Sequence, residues 1–122
     1  MQGGGKLESA YALMSDRLRA KPELPFTAIV CANDLMGIGV LSACRDYGLS
    51  VPKQLSVAGC ENILMASHTT PTLTTIHYPR KEIGFMTIDI IMEELNNGIK
   101  PTTNGALDFE LRVRHSTGEP GM

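Results

Sequence analysis

Two pairs of polar residues, Asn33-Asp34 and Glu61-Asn62, stand where ligand chemistry could be done. Each follows a short apolar run directly: Thr27-Ala28-Ile29-Val30-Cys31 before the first pair, Leu55-Ser56-Val57-Ala58-Gly59-Cys60 before the second. Amides and carboxylates gathered together can donate and accept in pairs, which suits sugar hydroxyls or the edge of a purine. A plainer reading stays open for each: Asn33 or Asp34 can simply cap a helix, and Glu61 can be a solvated loop residue. Catalytic groups are harder to assemble. His68, His77 and His115 lack the spacing of a metal-ligand set, and no Ser-His-Asp or Cys-His arrangement emerges. Gly37 and Gly39 fall inside a helical pattern rather than in a strand-to-helix turn, so they do not read as a phosphate loop. The cysteines, Cys31, Cys44 and Cys60, are odd in number and contain no C-x-x-C. Apolar surroundings make them buried free thiols of a reducing compartment. The expectation is a binding protein, not an enzyme, with no catalytic residue, metal or cofactor.

The elements that would position the polar pairs can be read from periodicity. Leu7, Ala10, Met14 and Leu18 recur at steps of three or four, predicting a helix over 6–20 that ends at Lys21-Pro22. The two apolar runs read as strands buried on both faces. Between them a helix over 34–47 carries Leu35, Ile38, Leu41 and Cys44 on one stripe, with Gly48 as its left-handed terminator and Pro52 as a stop. Residues 61–72 read as an irregular connection and 73–77 as a third strand, from the β-branched Thr74, Thr75 and Ile76. Pro79 suits the first turn of a helix over 80–96, closed by Gly98 and Pro101. Leu107, Phe109, Leu111 and Val113 alternate with charged residues, predicting a last strand with one buried and one wet face. Such alternation of helix and strand argues an α/β fold with a mainly parallel sheet flanked by helices. Because the leading helix lacks a strand before it, the natural sequence is expected to continue upstream.

Composition narrows the function classes. The 122 residues are 43% hydrophobic and 20% charged, the balance of a globular domain. No apolar run reaches membrane-spanning length, so no membrane partner is expected. The net charge of −2, with scattered basic residues, argues against direct DNA binding by this chain.

Four segments then carry a resemblance. Ala28-Ile29-Val30-Cys31-Ala32-Asn33-Asp34-Leu35-Met36-Gly37-Ile38-Gly39, the stretch from Gly48 to Asn62 containing Val51-Pro52 and Ser56-Val57-Ala58-Gly59, Pro71-Thr72-Leu73-Thr74-Thr75-Ile76, and Arg114-His115-Ser116-Thr117 follow one another in register. They resemble A-x-x-x-A-N-D-x-M-A-x-G, G-x-x-V-P-x-D-x-S-V-x-G-F-D-D, P-x-L-T-T-I and R-x-S-T of the lactose-repressor (LacI/GalR) family of transcription regulators, over roughly residues 5–120.

The resemblance implies a periplasmic-binding-protein-like sensor of two lobes with a small effector between them. It further implies a helix-turn-helix head upstream for operator DNA, homodimerisation, and a cytoplasmic location. This chain would supply the C-terminal portion: about 1–74 and 105–120 in the second lobe, about 75–100 as a crossover strand and a helix packed on the first. Asn33 and Glu61 match effector contacts of the family, Asp34 adjoins them, and Leu7 stands where a stacking aromatic is usual. Glu61 replaces the usual Asp. A periplasmic sugar-binding protein of a transport system is the alternative. Finally, the helix over 80–97 carries more apolar residues than one buried stripe needs, Ile83, Phe85, Met86, Ile88, Ile90, Ile91, Met92 and Leu95 among them. Self-association through this face is expected.

Overall fold

A computed structural model describes residues 4–98 and 107–121. Pro101, and the part of the expected 105–120 lobe segment before Leu107, lie outside the described residues. The element order is α1 (Leu7–Ala20), β1 (Ala28–Val30), α2 (Asp34–Asp46), β2 (Ser56–Ala58), β3 (Thr75–His77), α3 (Arg80–Asn97) and β4 (Glu110–Arg112), with a 3-10 turn at Leu64–Ser67 before β3. Two compact units result: one runs to His77 and resumes at Leu111, the other is Tyr78–Glu110.

In the first unit, β1 and β2 pair in parallel, Ile29 opposite Val57. The ladder continues past their ends: Ala58 bridges Thr74 and Glu61 bridges His77, both in parallel sense. Parallel neighbours need a crossover, and α2 is the one between β1 and β2. Its boundaries follow from local chemistry. Asn33 Oδ1 accepts the Met36 N–H at 2.9 Å, so Asn33 is the N-cap. At the other end Gly48 takes φ +72°, the Gly48 N–H donates to Arg45 O, and the Leu49 N–H donates to Cys44 O at 2.8 Å. That pair of bonds is a Schellman termination, and the positive φ is why glycine sits there.

The core gathers Ala10, Met14 and Leu18 of α1, Val40, Leu41, Ala43 and Cys44 of α2, and Leu55, Val57 and Leu73 from the strands and their flanks. Two glycines of α2 set how closely its neighbours approach. A Cβ on Gly39 would collide with the Leu7 carbonyl oxygen and come within 3.0 Å of Tyr11 N, so α1 crosses α2 at backbone contact. A Cβ on Gly37 would stand 3.0 Å from Leu73 Cδ2. The helix-propensity cost of glycine, about 1 kcal/mol each, is offset by this packing. Tyr11 Oη donates to Asp46 Oδ2 at 2.7 Å, joining the same two helices at their rim.

The Arg114-His115-Ser116-Thr117 tail acts as a clasp. Ser116 is wholly buried; its backbone oxygen accepts the Val57 N–H at 2.8 Å, and its Oγ accepts the Thr74 N–H at 2.9 Å while donating to Val57 O. The tail thus fills the seam between β2 and β3, satisfying backbone groups that burial would otherwise leave unpaired.

Two expectations need correction. β1 is not buried on both faces: Ala28 is exposed and Val30 keeps 76% of its surface in contact with solvent, because the only described strand beside β1 is β2. The last strand does not bury its apolar face either. β4 is three residues long, and Leu111 and Val113 are 65% and 68% exposed. In the second unit, Phe109 is exposed but packs its ring on Tyr78 at 5.1 Å between centroids. Alternation predicts which residues share a face; it does not supply the surface that covers them. By contrast α3, whose apolar face was expected to exceed what this chain covers, buries none of its residues and ends on Gly98 at φ +64°.

The thiols divide. Cys31 and Cys44 are buried and free, and burial raises each thiol from 9.0 to about 11. Cys60, expected to be buried like them, is only half-buried. Since folding raises these two acids, it favours the neutral thiol. The associated stability is present below about pH 9 and is lost as pH climbs through about 11. At about pH 8 an alkylating reagent is therefore expected to label Cys60 and spare Cys31 and Cys44 until denaturant is added. Equal labelling rates at all three sites in the native protein would contradict this.

Candidate functional site

The polar residues expected to meet a ligand all collect at the carboxyl ends of β1, β2 and β3, where open α/β sheets place their ligands. Asn33 faces this rim through the amide left over from capping: its Nδ2 donates to Gly5 O at 3.1 Å. That bond ties the segment entering α1, and so the half-buried Leu7, to the end of β1.

Asp34 plays a different part from the one expected. It is fully buried. Thr75 Oγ1 donates to its Oδ1 at 2.6 Å, and the Ile63 N–H donates to its Oδ2 at 2.8 Å. Both carboxylate oxygens are thus engaged by the protein. As the first residue of α2, Asp34 also sits at the positive end of the helix dipole. Its side chain needs a neighbour without a Cβ: one built on Gly59 would collide with Asp34 Oδ1. Asp34 is therefore a positioning residue that fixes the loop after β2 against β3.

That loop carries Glu61 and Asn62, both at positive φ, +108° and +54°. Asn tolerates the left-handed region, whereas Glu at +108° is strained. The surroundings hold it there. The Glu61 N–H donates to Ile76 O at 2.9 Å, and the Asn62 N–H donates to Thr75 Oγ1 at 3.2 Å. The Asn62 side chain is held from both sides: Arg114 Nη2 donates to its Oδ1 at 2.7 Å, and its Nδ2 lies 3.1 Å from His77 Nδ1. Arg114 is anchored by a second bond, from Nη1 to Leu73 O at 2.8 Å.

Sequence reasoning missed Thr75, Arg114 and His77 as parts of this rim. Thr75 read only as a β-branched strand residue, and Arg114 lies 52 positions from the Asn62 it orients. Of the clefts in the described residues, one reaches the end of β1 at Cys31 and Ala32 and another lies away from the rim. The first, of about 340 Å³, runs along the outer side of β1 between Ala10, Met14, Val30 and Met36; the other, of about 730 Å³, lies among Pro22, Glu23, Phe26 and Lys53. Neither is lined by Leu7, Asn33 or Glu61. The rim is preferred because, among the described residues, it gathers paired polar groups on a strained turn.

Residues 2–117 match the periplasmic binding protein-like domain. The chain belongs to that family. Within the periplasmic binding protein-like family it is 39% identical over 115 residues to the HTH-type transcriptional repressor PurR of Glaesserella parasuis, covering 89% of this chain and 33% of the relative. The PurR repressor of Haemophilus influenzae is 33% identical over 119 residues, covering 95% of this chain and 35% of its own length. Among solved structures, a LacI family transcriptional regulator from Arthrobacter in complex with lactose superposes with a TM-score of 0.79 at 28% identity, covering 93% of this chain and 42% of that one. A transcriptional regulator CelR–cellobiose complex gives a TM-score of 0.81 at 26% identity, covering 93% and 34%. The chain thus spans about a third of the length of the curated relatives it matches. The family and the α/β fold are those that the four sequence motifs imply.

Proposed function

We propose that this chain is the C-terminal portion of the effector-sensing domain of a LacI-type transcription regulator. The observation that carries the reading is the polar rim at three parallel strand ends, on a chain whose relatives are repressors. Asn33 and Glu61 supply hydrogen-bonding groups to the effector, Leu7 lends an apolar flank, and Asp34 holds the loop that presents Glu61. A sugar or a purine-like compound fits this chemistry, since each offers adjacent donors and acceptors. Lactose and cellobiose in the solved relatives favour sugars within that class.

The rest of the protein belongs to the same proposal. A first lobe lies upstream and receives the apolar face of α3. A helix-turn-helix head binds operator DNA, the regulator is a homodimer, and it works in the cytoplasm. The name HTH-type repressor of the relatives supports the head. No described helix is long and apolar enough to cross a membrane. The same repressor relatives disfavour the alternative of a periplasmic sugar-binding protein. Regulators among the relatives favour binding over catalysis.

A thermal-shift screen of sugars, nucleosides and purines on the complete sensor tests the reading, because a ligand of the folded state raises Tm. For the compound that binds, Asn33→Ala and Glu61→Ala are each expected to weaken affinity by about 1 to 3 kcal/mol by calorimetry, each leaving a ligand group unpaired. Unchanged affinity in both variants would reject the assignment.

A further inference from the structure

The chain of contacts Arg114–Asn62–His77 fixes more than a loop. A guanidinium can only donate, so the Asn62 atom 2.7 Å from Arg114 Nη2 is the carbonyl oxygen. The amide nitrogen then faces His77 and can only donate in turn. His77 Nδ1, 3.1 Å away, must accept, and a neutral imidazole that accepts at Nδ1 carries its proton on Nε2. Arg114 is itself held by Leu73 O through Nη1, and its own N–H donates to Thr74 Oγ1 at 2.9 Å, so the head of the chain is anchored at both ends of the residue. His77 is the last residue of β3, and the ladder sets it opposite Glu61. It is half-buried, and among the described residues the Asn62 contact is the one hydrogen bond of its ring.

We propose that His77 is a specificity-determining residue of the effector site, held by Arg114 and Asn62 as the Nε2–H tautomer so that it presents a donor beside the Glu61 carboxylate. The proposal rests on the reading of Glu61 as an effector contact. A donor and an acceptor on neighbouring strand ends select a ligand edge with the complementary order, an acceptor next to a donor. Adjacent sugar hydroxyls or a cyclic amide edge meet that demand; a carboxylate or a phosphate, which accepts only, does not. Arg114 and Asn62 act as positioning residues, since each works through the ring rather than on the ligand.

The tautomer can be read without any ligand. Long-range proton–nitrogen correlation spectra of the 122-residue chain at about pH 8, where an unperturbed imidazole is neutral, distinguish protonated from unprotonated ring nitrogens. The His77→Gln variant assigns the His77 signals against those of His68 and His115. The expected result is an Nε2–H preference roughly fivefold stronger than that of the exposed His115 ring, the weight of one hydrogen bond. In Asn62→Asp the new carboxylate only accepts, while Arg114 still pairs with it, so the preference is expected to reverse to Nδ1–H. Should Asn62→Asp fail to fold, Arg114→Met is the second variant: it removes the bond that fixes which way the Asn62 amide points, and the excess preference over His115 is expected to vanish.

A wild-type ring in the Nδ1–H form, or a preference that neither variant alters, would overturn the proposal. Lactose and cellobiose added to the complete sensor provide the ligand arm. A bound sugar is expected to shift the His77 Nε2–H signal; a bound sugar that leaves it in place overturns the role of His77. The expected tautomers with neither sugar bound would support the relay and count against sugars as the effector class, which separates the two readings.

Discussion

Replacing Asp34 with alanine is expected to destabilise the fold by about 3 kcal/mol. The change removes two hydrogen bonds to a buried carboxylate, each worth roughly 1.5 to 3 kcal/mol, and relief of carboxylate desolvation offsets part of that loss. Thr75 Oγ1, fully buried, and the Ile63 N–H are left without the acceptor they now share. Urea denaturation should show a lower midpoint with an unchanged slope, the signature of lost stability rather than an altered unfolded state. A loss below about 1 kcal/mol would mean that the carboxylate is not the pin between α2, the loop after β2, and β3.

Gly59→Ala is expected to be comparably severe, roughly 3 kcal/mol, through overpacking. The added methyl meets Asp34 Oδ1, and it stands 3.1 Å from both Asp34 Cα and Leu73 Cδ2. The Asp34 backbone cannot yield without moving the start of α2, and Leu73 is already wedged against Gly37. Because most of the collision is with one carboxylate, the two effects should not add. In the Asp34→Ala background the same Gly59→Ala change is expected to cost about 1 kcal/mol, leaving a coupling near 2 kcal/mol in a double-mutant cycle. Simple additivity of the two variants would show that the Gly59 methyl is accommodated elsewhere.

These residues illustrate what a sequence can and cannot disclose. The helices were legible because 3.6-residue periodicity and terminators are local: 6–20 corresponds to Leu7–Ala20, 34–47 to Asp34–Asp46, and 80–96 to Arg80–Asn97. Gly48 was legible for the same reason. The Asn33-Asp34 pair was legible as polar, but not as two residues with separate duties. Asn33 is the extended N-cap and Asp34 the first helical residue, so one meets the rim and the other the sheet. Which does which depends on Gly59 and Thr75, far along the chain. The tail motif was visible as a pattern; its work as a clasp on Val57 and Thr74 is a matter of long-range pairing. The exposed faces of β1 and β4 were misjudged because periodicity reports an apolar face and says nothing of what lies against it.

The central claim is that an effector binds at the carboxyl ends of the parallel strands. Its most direct test is to titrate the complete sensor with the tightest compound from the thermal-shift screen and follow backbone amide resonances. The account predicts that the largest changes among the residues of this chain fall at Gly5, Asn33, Glu61, Asn62 and His77. Changes centred instead on Glu23, Phe26 and Lys53, around the cleft of about 730 Å³, would contradict it.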